Sequence, residues 1–523
     1  MTFGLAELVQ RFGGRTLSGL GIRGGARTGF AGGSFGARGG EELAVLSRCH
    51  DIVFDSRAVG PGVVFAGLPG VHLDGRKFVG EAIARGAAAV LLPDEPHPCL
   101  ELSTDLRPFW LHSDARRIAG AAAAALHGQP TTKLDVFAVT GTNGKSTVAR
   151  MVAHLLGEAG RTPAEIGTLD IRLAGRAVER SRNTTPDAPT LHRLLASHLN
   201  AGGDCAVLEA SSHGLDQQRL EAVDVDVAIF TNLTHDHLDY HRSLEAYRRA
   251  KQRLFERLGP DGVAVVPADD SVGMSFGEVA RSRGARVVTY GTGSRADLCA
   301  TQVVADSGGV QLFLRGMGIS MERIHLPYPG RHNVDNALAA CAAVLSRGVN
   351  PAALQSGFTS SSLPAGRLEQ VTPTNHPFCV RVDYAHTPDA LRAAAEGVRE
   401  QLDTLGSGRL ILVFGCGGDR DRTKRAPMGQ VACELADIAI VTSDNPRTED
   451  PNSIVQDVLE GMQDCRQRPV ELLDRRAAIE TALSCAQPGD VVLIAGKGHE
   501  DYQIVGDRVL PFSDRDVVRE LLR

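Results

Sequence analysis

Residues 135–160, DVFAVTGTNGKSTVARMVAHLLGEAG, join an apolar strand to an amphipathic helix through a Gly-Thr-Asn-Gly-Lys-Ser loop. N–H groups of such a loop and helix start converge on an anion, and the helix dipole adds favourable partial charge. Gly141, Thr142, Asn143, Gly144, Lys145, Ser146 and Thr147 are therefore the candidate nucleotide-phosphate loop, with Lys145 as a mobile cation and the Ser146 hydroxyl as a magnesium ligand. The general G-x-x-x-x-G-K-[ST] spacing is not met. Position 139 is Val139 and the first glycine is Gly141, which leaves a shorter G-x-x-G-K-S form. Glu209 ends the apolar run 204–211, ahead of Ser211, Ser212 and His213. A carboxylate at a strand end beside a nucleotide loop suits magnesium, although alone it reads equally as a cap or a surface residue. The segment TNLTHDHLDYHRS, 231–243, sets His235, His237 and His241 among Asp236 and Asp239. That density suggests zinc, while a neighbouring phosphate loop favours magnesium with one imidazole ligand. Lys251, in AYRRAKQRLF, reads by default as an exposed helical lysine.

The elements that must position these groups follow a three-part pattern. A chain of 523 residues, 43% hydrophobic, holds about three domains at the usual domain size. We place them at 1–128, 129–360 and 361–523, with a Gly/Ala/Arg-rich stretch at 23–41 expected as a flexible, solvated insertion. In the second part, strands within 204–211, 225–233 and 262–269 alternate with helices, as a mostly parallel sheet covered on both faces requires. The third part repeats the pattern, with strands within 409–418, 436–444 and 490–498 that end in glycine-rich or polar loops, where open α/β sheets bind ligands. The expected class is α/β throughout, including the N-terminal part.

A net charge of −6 and a pI near 6.3 carry no basic footprint, so nucleic acid is disfavoured as a partner. No apolar run reaches 18 residues, and MTFGLAELVQRFGG lacks the pattern of a secretory signal. The ten scattered cysteines form no C-x-x-C pair and read as free thiols. A cytoplasmic protein, a monomer without membrane insertion, is the expectation.

Taken together, GTNGKS, LEASSH, TNLTHDHLDYH, GRHNVDNALAA, GRLEQV and DYAHTPDAL resemble the signatures of the Mur ligases, ATP-dependent amide-forming enzymes of peptidoglycan precursor synthesis. The resemblance spans most of the chain and implies a uridine-binding domain, a central ATPase domain and a Rossmann-like C-terminal domain. It also implies that Lys251 is carbamylated and joins Ser146, Glu209 and His237 around magnesium. Arg367 and His386 would reach the phosphates of ATP, and Asn333 and Asp383 its nucleoside. Pro364-Ala365-Gly366-Arg367 is one residue longer than the family's usual Pro-Gly-Arg, which bears on the hinge.

Within the family the resemblance is nearest to members that extend UDP-N-acetylmuramoyl-L-alanyl-D-glutamate. It assigns Ser56, with Asp55 and Arg57, to the uridine, and Asn183, Thr184, Thr185, Ser211, Gln217 and Arg219 to the muramoyl-dipeptide. Hydroxyls, amides and guanidinium groups are the types that hold a diphosphate, a sugar and a carboxylate. Asp444, Asn445, Pro446 and Arg447 resemble the signature of the branch that uses meso-diaminopimelate, with Arg420, Gly496 and Glu500 in the same pocket. A guanidinium can bind the extra carboxylate bidentately, and Glu500 would meet the distal ammonium. Alone, NTTPD reads as a cap and turn, and DNPR as a turn. The resemblance implies a γ-carboxylate attack on ATP, an acyl phosphate, and attack by the amine. The rivals are a lysine-adding or other amide ligase of the same superfamily, a nucleotide hydrolase, and a non-catalytic nucleotide-binding scaffold.

Overall fold

The computed structural model describes residues 2–17, 48–70, 73–100, 108–180, 183–293, 295–306, 309–361, 363–373 and 375–523. The 23–41 stretch lies outside the described residues. Three large sheets follow one another along the chain. In the first, Asp51–Val53, Val63–Ala66, Ala89–Pro93 and Phe109–His112 pair in parallel, and Arg15–Leu17 adds an antiparallel edge. Helix Ala115–Leu126 covers it, with alanines along the buried face, and the buried Trp110 indole donates to Gly13 O at 2.8 Å.

The second sheet has eleven strands. Its core is parallel, with Asp135–Thr140 between Cys205–Glu209 and Val227–Phe230, followed outward by Val263–Pro267 and Arg286–Gly291. Successive residues of 135–140 serve opposite cores: Phe137 and Val139 face one, Val136 and Ala138 the other. That double burial is why these strands read as continuous apolar runs. The strand-helix alternation expected in the second part breaks at both edges of the sheet. Leu298–Asp306, Gly309–Gly316 and Ile319–Leu326 form an antiparallel meander at one edge, and Asp170–Leu173 with Arg176–Arg180 do the same at the other. Helix Arg331–Ser346 buries an alanine-rich face against helix Lys145–Glu158, since small side chains let the two approach closely.

The third sheet runs Glu369–Gln370, Cys379–Asp383, Val491–Ala495, Leu410–Phe414, Ile438–Val441 and Val470–Glu471, parallel except at the first pair. The expected free thiols hold for eight cysteines, but Cys433 and Cys465 form a disulfide, their Cα atoms 5.0 Å apart. The helix Arg425–Leu435 and the turn after Met462 bring them together, a contact that a spacing of 32 residues does not announce.

Candidate active site

Because three neighbouring parallel strands end at one edge, the 141–147 loop, Glu209 and Thr231-Asn232 emerge side by side. Gly144 has a φ of +83°, and a Cβ there would overlap Asn336 Oδ1, so only glycine fits. The start of the histidine-rich segment shapes the loop. Asn232 O accepts from Thr142 N at 2.9 Å, Asn232 Oδ1 accepts from Asn143 N at 3.0 Å, and Thr231 Oγ1 donates to Asn143 O at 2.6 Å. Sequence reasoning missed Thr231 and Asn232 as braces, because nothing in a strand end tells what lies across from it.

The buried Ser146 Oγ donates to Glu209 Oε2 at 2.9 Å, and Glu209 also accepts from Thr168 N at 2.7 Å. A hydroxyl beside a carboxylate is a hard-oxygen pair of the kind magnesium takes. Lys145 Nζ donates to Gly141 O at 3.0 Å and Thr142 O at 2.9 Å. Lys251 corrects the default expectation of an exposed lysine. It is 1% exposed and donates to the same Gly141 O at 2.6 Å, 4.4 Å above the Tyr247 ring. Burial, and then the Lys145 charge, push its pKa well below the ordinary lysine value. His237 has a left-handed backbone, with Nε2 3.5 Å from Asp236 Oδ2 and its ring 4.8 Å from that of His213. Burial lowers its pKa despite Asp236. Among the described residues no group of three or more His, Cys, Asp or Glu is arranged to hold a metal ion; the His213 ring instead meets His237 edge-on and His241 at a tilt.

From the third sheet, Arg367 Nη2 reaches across to Ser146 Oγ at 3.4 Å, with the guanidinium 4.8 Å from the Tyr384 ring centre. Its approach depends on Gly366, whose φ is +69° and where a Cβ would run into the backbone at His499. His386 Nδ1 donates to Tyr384 O at 2.8 Å, and burial pushes the imidazole down to about 4. Asn143, Gly144, Thr147, Asn333, Asp383, Arg367 and His386 all line one cavity of about 520 Å³ between the second and third sheets. Asp383 accepts from Leu368 N and Ala385 N, both at 2.7 Å, and Asn333 donates to Pro329 O at 2.8 Å.

A second cavity, about 1050 Å³, is lined by Asn183, Thr184, Ser211, Arg219 and His237 on one side and by Arg420 and Glu500 on the other. Tyr384 lines both cavities. Thr185 holds the wall from behind, its Oγ1 donating to Glu209 O at 2.7 Å while its carbonyl accepts from Arg219. Gln217 joins Asn183 and Arg219 around a smaller recess with Phe54 and Arg116, next to the first sheet. Ser56 is not brought to any of these surfaces; its hydroxyl donates to Glu81 at 2.8 Å.

The third-sheet residues all come from C-terminal strand ends: Arg420 after Phe414, Asp444 to Arg447 after Val441, and Gly496 and Glu500 after Ala495. Arg447, at φ +52°, turns its guanidinium toward Gly418 O at 2.7 Å and does not line the large cavity. Pro446 O accepts from Glu449 N, and Arg420 Nη1 donates to Asp419 O. Glu500, expected to face a substrate ammonium, already accepts from Asn445 Nδ2 at 2.9 Å and Lys497 Nζ at 3.3 Å. Lys497 is a third residue the sequence reading missed. It stands between the expected Gly496 and Glu500, but only the structure reveals a fully buried amine.

Fold and site thus define a multidomain α/β nucleotide-binding protein, in which a phosphate loop faces a second Rossmann-like sheet across a cleft. Family models place it further: the Mur ligase family catalytic domain matches residues 48–126, the Mur ligase middle domain 139–344, and the Mur ligase glutamate ligase domain 366–498. The chain belongs to the Mur ligase family. A curated relative from Synechococcus elongatus, named UDP-N-acetylmuramoyl-L-alanyl-D-glutamate–2,6-diaminopimelate ligase, is 42% identical over 89% of this chain and 92% of its own length. A solved structure described as the same kind of ligase matches at 32% identity with a TM-score of 0.67, covering 100% of this chain and 99% of that one. A D-alanyl-D-alanyl-adding ligase from Acinetobacter baumannii, at 20% identity and a TM-score of 0.64 over 95% of each chain, shares the fold. No helix among the described residues is long and apolar enough to cross a membrane.

Proposed function

We propose that this chain is an ATP-dependent ligase that adds meso-2,6-diaminopimelate to UDP-N-acetylmuramoyl-L-alanyl-D-glutamate in peptidoglycan precursor synthesis. The observation that carries the reading is the large cavity, bounded by Asn183, Thr184, Ser211 and Arg219 on one wall and Arg420 and Glu500 on the other, and sharing Tyr384 with the nucleotide cavity. An acceptor carboxylate, a phosphoryl donor and an amine can meet there. In the first stage a γ-carboxylate oxygen attacks the γ-phosphorus, the bond to the ADP oxygen breaks, and an acyl phosphate forms. In the second the amine nitrogen attacks the acyl carbon and phosphate leaves with the C–O bonding pair.

Two anions must approach in the first stage, so charge neutralisation is the main demand. Lys145 turns from its backbone carbonyls to the phosphates, and Arg367 meets them from the third domain. Magnesium, held by Ser146 and Glu209 with His237, would supply further neutralisation. Burial shifts Lys251 towards the neutral amine, the form that adds carbon dioxide, which supports Lys251 as a carbamate close to that ion. The three domains are taken as 1–128 for the uridine moiety, 129–360 for ATP and 361–523 for the amino acid. Closure of the cleft around them excludes water from the acyl phosphate. The enzyme acts in the cytoplasm as a monomer.

The test is phosphate release with ATP, magnesium and the UDP-muramoyl-dipeptide, with diaminopimelate or lysine added in parallel. Release that depends on diaminopimelate supports the reading. Release with lysine alone breaks the amino-acid assignment, and equal release with neither makes the chain a hydrolase.

A further inference from the structure

Lys497 is 0% exposed, and its amine faces three acceptors drawn from two separate loops: Asn445 Oδ1 at 3.1 Å, Glu500 Oε2 at 3.3 Å and Asp444 Oδ1 at 3.4 Å. The contacts fix the orientation of Asn445. Its Oδ1 accepts from Lys497 and from Ile504 N at 2.9 Å, so its Nδ2 must donate to Glu500, again on Oε2, at 2.9 Å. One buried ammonium thus aims an amide and a carboxylate at the same time. The charges also count: Asp444 and Glu500 against Lys497 leave one negative charge beside a cavity wall that Glu500 itself forms. An arriving ammonium would bring the group to neutrality, which a buried site favours.

We propose that Lys497 is a positioning residue for amino-acid selection, holding Glu500 ionised and oriented so that it accepts the distal ammonium of the incoming diamino acid. The inference rests on the ligase reading above. Burial raises the Glu500 pKa, and Lys497 is the largest opposing influence. The other charged and titratable groups around Glu500 are Asp444 on the 444–447 loop, Tyr384 beyond the Cys379–Asp383 strand, Tyr502 on the hairpin 502–511 and Arg475 on helix Arg475–Cys485, with Arg420, His499, Asp501 and Arg515 lining the same cavity; Arg447 acts on Tyr502. Lys497 bonds both Glu500 and Asn445.

The experiment compares wild type with Lys497→Met, Lys497→Gln and the double variant Lys497→Met/Glu500→Gln, following phosphate release with diaminopimelate across a pH series. Without Lys497 the Glu500 pKa rises further, so the fraction able to accept an ammonium falls at neutral pH and recovers as pH is raised. The diaminopimelate KM should therefore rise at neutral pH by clearly more than the ATP KM does, and fall back in alkaline buffer. The ATP KM should stay within about twofold, which also shows that the variant is folded. The double variant should have a high KM without the pH dependence. Should Met fail to fold, the Gln variant, which keeps a hydrogen-bond donor without the charge, carries the same expectation. An unchanged diaminopimelate KM and pH profile in either folded variant overturns the inference, as does a loss of kcat with KM unchanged. Wild type that releases no phosphate in response to diaminopimelate overturns the ligase reading itself.

Discussion

The two ends of the cleft treat buried ionisable groups in opposite ways. At the phosphate end the buried amines Lys145 and Lys251 both donate to a backbone carbonyl, Gly141 O, and burial pushes His386 and His332 down to about 4. At the amino-acid end charges come in pairs: Arg475 with Asp514, Lys497 with Asp444 and Glu500, Arg425 with Glu449 and Asp457. The difference fits what each end must receive. A nucleotide brings several negative charges of its own, so amines held by backbone carbonyls can turn to meet them. An amino acid brings single opposite charges at fixed spacing, and recognising it needs charges already aimed.

Four perturbations break or sharpen that contrast. The largest effect should come from Asp514→Asn. Arg475 and Asp514 are both 0% exposed and joined by two 2.7 Å bonds, so the change leaves a buried guanidinium uncompensated. We expect a loss of about 3–5 kcal/mol in denaturant unfolding; an unchanged midpoint would mean that the amino-acid end does not depend on its pairs. Next, Lys145→Met should lower kcat by about 10²–10³-fold with little change in the thermal midpoint, since its contacts are to two carbonyls that solvent can satisfy. A large stability loss with activity retained would reverse the roles of the two ends.

Arg447→Ala should raise the diaminopimelate KM by about 10–100-fold, the worth of a charge-assisted contact, and leave the ATP KM alone. Because Arg447 holds Gly418 O, equal changes in both constants would mark it as a loop brace. The smallest effect concerns His192, another base neutralised by burial. Its pKa falls from 6.5 to about 4, with Nε2 donating to Glu221 O. Its folded value lies below its unfolded one, so the stability it contributes is whole above pH 6.5 and is lost as pH falls towards 4. At about pH 5.5 the loss is about 1 kcal/mol, and His192→Gln should remove that part of the acid slope in thermal unfolding.

Much of this was legible in the chain because it depends on local order. Asp135–Thr140 had to be a doubly buried strand, and a glycine loop feeding a helix had to present N–H groups to an anion. The alternation of apolar runs and helices implied parallel sheets, and strand ends followed by Gly415–Arg420, Asp444–Arg447 and Gly496–Glu500 marked where ligands gather. The antiparallel edges at 170–180 and 298–326 were not foreseen, since short strands in a meander carry the same residue types as strands within a parallel run. Long-range facts depend on which residues meet. Lys251 looks like any helical lysine until Gly141 and Tyr247 enclose it, and Cys433 like any thiol until Cys465 arrives beside it. Nothing around Lys497 in the sequence separates an exposed amine from one that aims Asn445 and Glu500. Residue type and spacing determine the groups available and the chemistry they can do. Burial and partners at a few ångströms, which only tertiary packing decides, set their charge and direction.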